Sequence, residues 1–415
     1  MAEGFKNFVD GKWVDSANGT TFDDSNPANK TDLLGSFPRS DHRDVDRAVE
    51  SAKTHFSTWR RIPAPRRAEI LFRAAEILAR RKDELAALVT REMGKVLKES
   101  LGEVQEALDM LYYVAGEGRR LWGETTPSEL PDKFAMSVRV PLGVVAAITP
   151  WNFPLAIAIW KLAPALVAGN SVVFKPAEDT PLIAIRLVEI LLEAGLPPGV
   201  ISLVHGHGEE AGAPLVRHPD VTLVSFTGSS EVGREVAIAC AADHKRVSLE
   251  MGGKNPILIM EDADLDLAVD GAIWGGFSTS GQRCTSASRL IVHRKVLKEF
   301  TERLVTKTGG LRLGDGMLPT TDVGPVVNET QLKRVHGYTK IGVKEGAKLL
   351  CGGEIFKEGD CRKGFFYAPT LFADVSLKMR IAQEEIFGPT VVIMPVGGLE
   401  EAIETANATR YGLSS

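Results

Sequence analysis

An α/β protein built on a doubly wound parallel sheet, with a second α/β lobe, is the fold class this 415-residue sequence predicts. Three observations carry that expectation. Beyond Val138, short apolar, β-branched runs alternate with stretches of helical period, the pattern of strands joined by crossover helices. Polar clusters follow four of those runs, where the open sheets of this class bind ligands. The chain is also too long for one ordinary core, so at least two lobes are expected.

The elements follow in order. Met1 to Ser16 carries Glu3, Lys6, Asp10, Lys12 and Asp15 and no apolar run, so it is not a signal peptide. From about Ala64 to Gly116 the pattern is helical. Ile70, Ala74, Ile77 and Leu78 share a face, as do Leu85, Leu88 and Val89, which predicts a pair of surface helices packed on a sheet, without chemistry. The segment Gly123–Val140 has Pro127, Pro131 and Asp132 ahead of Phe134–Val140 and reads as a hairpin, either an edge cover or an oligomerisation arm. Strands are then expected at Val144–Ile148, Ser171–Phe174, Val200–Val204, Val224–Phe226 and Arg246–Leu249. Helices at Leu155–Ala168, Leu182–Ala194, Ala211–His218 and Glu231–Ala242 separate them. A second lobe starts near Gly253, with strands at Pro256–Met260 and Arg289–His293 and helices at Leu265–Thr279 and Val296–Thr306. The chain stops at Tyr411-Gly412-Leu413-Ser414-Ser415.

Composition narrows the function. A formal net charge of -5 and a pI near 6.0 argue against nucleic acid or an anionic membrane as the main partner. The four cysteines form no Cys-x-x-Cys pair and the eight histidines no His-Glu-x-x-His pair, so no structural metal is expected. The longest apolar stretch, Pro154 to Gly169, is interrupted by Lys161 and Pro164 and is too short to span a bilayer. A soluble, cytoplasmic protein with reduced thiols is expected.

Four places carry candidate chemistry. Cys284, in Gly281-Gln282-Arg283-Cys284-Thr285, is either a small buried hydrophobe or a nucleophile whose thiol is activated by a neighbouring cation and open backbone amides. Glu250 ends an apolar strand and precedes Met251-Gly252-Gly253-Lys254. It reads as a surface charge paired with Lys254, or as a partly desolvated general base with room for a water. Asn152, in Pro150-Trp151-Asn152-Phe153-Pro154, sits in a rigid turn at a strand exit, where its amide could stabilise an oxyanion. The nucleotide signals are Phe226-Thr227-Gly228-Ser229-Ser230-Glu231-Val232-Gly233, a strand–turn–helix start whose amides suit a phosphate, and Lys175 with Glu178. Those two residues make a simple ion pair or a ribose-binding pair, and the carboxylate would repel a 2′-phosphate. There is no P-loop and no Gly-x-Gly-x-x-Gly; Gly206-His207-Gly208 is a fragment of one.

In order along the chain, these motifs resemble the aldehyde dehydrogenase superfamily. The matching runs are Pro150-Trp151-Asn152-Phe153-Pro154, Lys175-Pro176-Ala177-Glu178, Phe226-Thr227-Gly228-Ser229, Leu249-Glu250-Met251-Gly252-Gly253, Gly281-Gln282-Arg283-Cys284 and Glu384-Glu385-Ile386-Phe387-Gly388-Pro389. The resemblance extends from Phe8 to the last residue.

The resemblance implies a Rossmann-like NAD-binding domain (1–122 and 142–252), a β-hairpin oligomerisation arm (123–141) and an α/β catalytic domain (253–415). It implies that Cys284 attacks the aldehyde, that Asn152 and the Cys284 backbone N–H hold the oxyanion, and that Glu250 activates the water that hydrolyses the thioester. Lys175 and Glu178 would meet the adenine ribose, Trp151 and Ser229 the pyrophosphate, and Glu385 and Phe387 the nicotinamide ribose and ring. Gly208, Gly228, Gly233 and Met251 complete the implied cofactor set. The expected product is a free acid, since the CoA-acylating branch lacks the glutamate; the expected cofactor is NAD, with NADP possible. Trp160 stands where the succinic-semialdehyde branch has an arginine, which points to an apolar or aromatic pocket wall. A homodimer or homotetramer is implied for the intact protein. The competing readings are an NADP-preferring or CoA-acylating semialdehyde dehydrogenase and a non-catalytic scaffold protein of the same fold. Relatives continue past Tyr411-Gly412-Leu413, so a truncated chain with little activity of its own is also expected.

Overall fold

The computed structural model describes residues 3–415. Four short strands open the chain: Asn7–Val9 (β1), Lys12–Val14 (β2), Thr21–Ser25 (β3) and Leu33–Pro38 (β4). Four helices follow, His42–Trp59 (α1), Ala64–Arg80 (α2), Lys82–Met93 (α3) and Leu97–Glu117 (α4), and then a hairpin of Thr125–Thr126 (β5) and Ala135–Met136 (β6). Alternation begins with Val144–Ile148 (β7), Ala156–Val167 (α5), Ser171–Lys175 (β8), Pro181–Glu193 (α6) and Ile201–Leu203 (β9). It continues through Ala213–Arg217 (α7), Val221–Thr227 (β10), Ser230–Ala242 (α8) and Arg246–Glu250 (β11). Next come Asn255–Ile259 (β12), Leu265–Phe277 (α9), Ala287–His293 (β13), Leu297–Gly309 (α10) and Glu329–Lys344 (α11). The last elements are Lys348–Cys351 (β14), Thr370–Ala373 (β15), Arg380–Gln383 (α12), Thr390–Val396 (β16) and Leu399–Asn407 (α13).

The chain divides into two compact units. The first comprises residues 1–24, 34–86 and 101–250; the second comprises 25–33, 87–100 and 251–415. The first is built on a seven-stranded sheet in the order β11-β10-β7-β8-β9-β1-β2. The five strands from the β11 edge to β9 are parallel, because each is joined to the next in sequence by a helix that must return the chain to the same edge. β7 and β8 are buried along their whole length, β7 as an unbroken apolar run and β8 with apolar Val172-Val173-Phe174 between Ser171 and Lys175, as strands covered on both faces do. The core on one face joins Val45, Val49, Val144, Ile148, Val173, Val224 and Phe226.

The second unit holds a five-stranded sheet, β12-β13-β16-β15-β14, parallel except for β14 at the edge. Leu290, Val292, Phe300, Val391 and Ile393 fill one side of it, and Val335, Phe372, Ile381 and Met394 the other.

The α/β class and the doubly wound sheet are as expected, and the expected strands and helices of the alternating region fall within a few residues of their places. Three local expectations need correction. Residues 64–117 form three helices rather than a pair: Arg81 leaves helical geometry (φ -102°, ψ 16°) and Gly94 takes φ +95°. Their apolar faces are buried as expected, with Ile70, Ala74, Ile77, Leu78, Leu85 and Val89 covered and Arg73, Glu76 and Arg80 on the exposed side. The β1–β2 hairpin, turned at Asp10-Gly11 with φ 52° and 74°, adds antiparallel strands to a sheet edge that the apolar pattern does not reveal. Finally, the helix expected at Ala211–His218 begins earlier, as a π-helical turn over Gly208–Gly212 that runs into α7.

Candidate active site

In the first unit the sheet itself gathers the candidate residues. Parallel strands in register end together: Ile148 pairs with Lys175, Phe226 with Ile148, and Thr227 with Glu250. The loops leaving β7, β8, β10 and β11 therefore issue from one edge of the sheet, the edge where such sheets bind ligands. Asn152 is buried and Trp151 half-buried in the loop after β7. Lys175 is buried at the end of β8, and its Nζ donates to Glu178 Oε2 at 3.2 Å. Burial alone would raise the Glu178 carboxyl; Lys175, a backbone N–H and His207 outweigh it and hold the group below its usual range. The pair thus offers an ionised carboxylate beside a cation, which suits two ribose hydroxyls and disfavours a further phosphate on them.

After β10, Ser229 caps α8: its Oγ accepts the Val232 N–H at 3.2 Å, and Gly228 N–H reaches the Glu250 carbonyl at 3.1 Å. The first-turn amides of a capped helix of 13 residues make a suitable seat for a pyrophosphate, so these residues fit a dinucleotide. Gly233 is buried within that helix, and Gly208 is exposed at the head of the π turn. Glu250 ends β11 as expected but is exposed rather than partly desolvated, because β11 is the edge strand of the sheet. Lys161 on α5 lies near it. Burial brings the lysine down to about 8, Glu250 opposes that shift, and the Lys161 Nζ reaches Ser225 Oγ at 3.3 Å.

The second unit presents Cys284 in a turn before β13, half-buried. Asn255 on β12 holds that turn, its Nδ2 donating to the carbonyls of Cys284 at 2.7 Å and Ser286 at 3.0 Å. The cation beside the thiol is Arg283. Its guanidinium lies 4.3 Å from the Trp274 ring centroid and donates to the Trp274 carbonyl at 2.9 Å. Upstream, Thr279 (φ 53°, ψ 28°) and Ser280 (φ 54°, ψ 36°) are both left-handed, and Gly281 follows at φ 68°. For side chains carrying Cβ, and above all for a β-branched threonine, such a backbone costs on the order of 1–3 kcal/mol per residue. At Gly281 a Cβ would collide with the Gly388 carbonyl oxygen, so only glycine fits.

The Glu385–Phe387 loop belongs to the same unit. Glu385 Oε1 accepts the Gly253 N–H at 3.0 Å, and Phe387 is left-handed at φ 61°. Two residues of α11 that no sequence motif marks hold this loop. Gln331 Nε2 donates to the carbonyl of Phe387 at 2.6 Å, and Arg334 donates to that of Glu385 at 2.8 Å. A cleft lined by Gly253, Arg283, Ser286, Glu385, Phe387 and Gly388 lies there. Met251, half-buried, opens the longest segment of the unit. Lys254, which a local reading pairs with Glu250, is instead buried with no hydrogen-bond partner for its Nζ among the described residues. Among those residues there is also no His, Cys, Asp or Glu cluster able to hold a metal ion, and no helix long and apolar enough to cross a membrane.

The model of the aldehyde dehydrogenase family matches residues 13–415. The chain belongs to that family. It is an enzyme, an oxidoreductase acting on aldehydes. It is similar to the α-ketoglutaric semialdehyde dehydrogenase of Bacillus subtilis, with 42% identity over 99% of this chain and 84% of the relative. The 2,5-dioxopentanoate dehydrogenase of Saccharolobus solfataricus is 43% identical over 97% of this chain and 83% of its own length. Among solved structures, a betaine aldehyde dehydrogenase of Staphylococcus aureus in complex with NAD+ matches with a TM-score of 0.97 and 37% identity, covering 98% of this chain and 81% of that one.

Proposed function

We propose that this dehydrogenase oxidises an aldehyde or semialdehyde to the free carboxylic acid with NAD, through a thioester on Cys284. The single observation that carries the reading is the presence, each at the expected strand end or turn, of a thiol, a carboxamide and a carboxylate suited to the two halves of the reaction. The Cys284 thiolate forms the C–S bond to the carbonyl carbon, and the carbonyl π pair moves to oxygen. The Asn152 amide and the Cys284 backbone N–H donate to that oxyanion, a contribution that is often several kcal/mol in such sites. Collapse of the oxyanion to the thioester expels a hydride, for which NAD would supply the acceptor when bound. Lys175 and Glu178 would hold the adenine ribose, Trp151, Gly228, Ser229 and the start of α8 the pyrophosphate, and Glu385 and Phe387 the nicotinamide end. Glu250 then takes a proton from water, the hydroxide adds to the thioester, and the thiolate leaves.

The NAD+ complex of the structural neighbour and the Lys175–Glu178 pair both support NAD as the cofactor. Two relatives named for semialdehyde substrates make a carboxylated semialdehyde the first substrate to try. The decisive measurement is rapid mixing of the protein with NAD and a panel of aldehydes that includes 2,5-dioxopentanoate. With Glu250→Gln the first turnover of NADH should persist while steady-state turnover falls by about 10²–10⁴-fold. Cys284→Ala should lose the first turnover as well. Unchanged steady-state turnover in the glutamine variant would remove Glu250 from the mechanism, and NADH formation by the alanine variant would remove Cys284.

A further inference from the structure

We infer that Glu99 is a positioning residue that anchors the turn presenting Cys284, acting through the backbone amide of Thr279. This rests on the reading of Cys284 as the nucleophile. Glu99 lies in the first turn of α4, 180 residues before Thr279 in sequence and within the same compact unit. Both of its carboxylate oxygens accept the Thr279 N–H, at 2.9 and 3.0 Å, and Oε2 is also 3.4 Å from Thr279 Oγ1.

The anchored residue is the one that needs holding. Thr279 and Ser280 are consecutive left-handed residues with side chains, a backbone that relaxes unless its surroundings over-determine it. Downstream of Thr279 the turn is tied by Ser280 Oγ to the Gly324 carbonyl at 2.7 Å, by Gln282 N–H back to the Thr279 carbonyl at 3.0 Å and by the Arg283 guanidinium to the Trp274 carbonyl at 2.9 Å. Glu99 supplies the side-chain acceptor at its head, with both carboxylate oxygens set against one backbone amide. Burial raises the Glu99 carboxyl above its usual range, and the Thr279 amide, Lys95 and Arg283, the residue preceding Cys284, oppose that rise.

Two variants separate the hydrogen bond from the charge. Glu99→Ala and Glu99→Gln both remove the charge and share any electrostatic effect on the thiol; only alanine removes the acceptor. Hydrogen exchange of the Thr279–Gln282 amides and site-resolved alkylation of Cys284 by iodoacetamide, with Cys351 as internal control, are read on the full chain. In Glu99→Ala, exchange at Thr279 should accelerate about tenfold or more, the size expected when a buried donor loses its acceptor. Its Cys284 alkylation rate should depart at least severalfold from that of Glu99→Gln across the pH profile, while Glu99→Gln keeps wild-type exchange. Equal exchange and alkylation in both variants would overturn the inference. If Glu99→Ala does not fold, rapid exchange at Thr279 in Glu99→Gln overturns it and wild-type protection supports it. A wild-type Cys284 no more reactive than Cys351 would count against the nucleophile assignment, while the amide exchange still judges the anchor.

Discussion

Lys254 shows what a single residue reveals only once it is folded. In the sequence it is an ordinary cation after two glycines; in the structure it is wholly buried, with no hydrogen-bond partner for Nζ among the described residues. Burial, reinforced by Arg289 and opposed by Glu385 and Glu384, brings it down to about 7. The folded value lies below the unfolded one of about 10.4, so the unfolded chain binds more protons between the two. The lysine therefore weakens the fold most below pH 7, and stability rises as pH climbs from about 7 towards 10. A tenfold change in proton affinity corresponds to about 1.4 kcal/mol, so the effect is measurable by chemical denaturation at pH 7 and pH 9. Lys254→Met should flatten that rise and be the more stable protein at pH 7; an unchanged pH dependence would show that the buried amine carries no penalty. Cys284 and Asn152 are legible as candidate residues because motif order identifies them. The exposure of Glu250 is not, since it depends on β11 lying at a sheet edge.

Among the elements, those with a strong local signal are the ones the sequence places correctly. β7 is continuous apolar chain, and α8 starts at a serine that caps it. Ser229→Ala should cost about 1 kcal/mol of stability by removing the acceptor for the Val232 N–H, and should weaken NAD binding measured by calorimetry. A loss of affinity with no loss of stability would mean that Ser229 serves the ligand alone. The elements that escape notice lack such signals. β1 and β2 are three residues each, too short for alternation to stand out, although Asp10-Gly11 marks their turn. The helical 64–117 region shows only its apolar faces in sequence, so Glu99 passes there as one more surface charge. Nothing within a turn of Glu99 announces that its partner is a strained backbone amide 180 residues away.

At the scale of the whole molecule, the hairpin of β5 and β6 leaves Phe134 74%, Met136 64% and Val138 66% exposed, an unusual cost for a short isolated hairpin in water. Assembly into a dimer or tetramer would cover them. Sedimentation of a Phe134→Asp, Met136→Asp variant should show a smaller species than wild type, and an unchanged species would assign the arm another role. Taken alone, the sequence determined the class of fold, through strand–helix alternation, and the chemical identity of the candidate site, through ordered motifs. Both are local properties, written in neighbouring residues. Only the tertiary structure decided which charges are buried, which backbone is strained and what holds it, because desolvation and long-range hydrogen bonds depend on groups that the chain brings together from far apart.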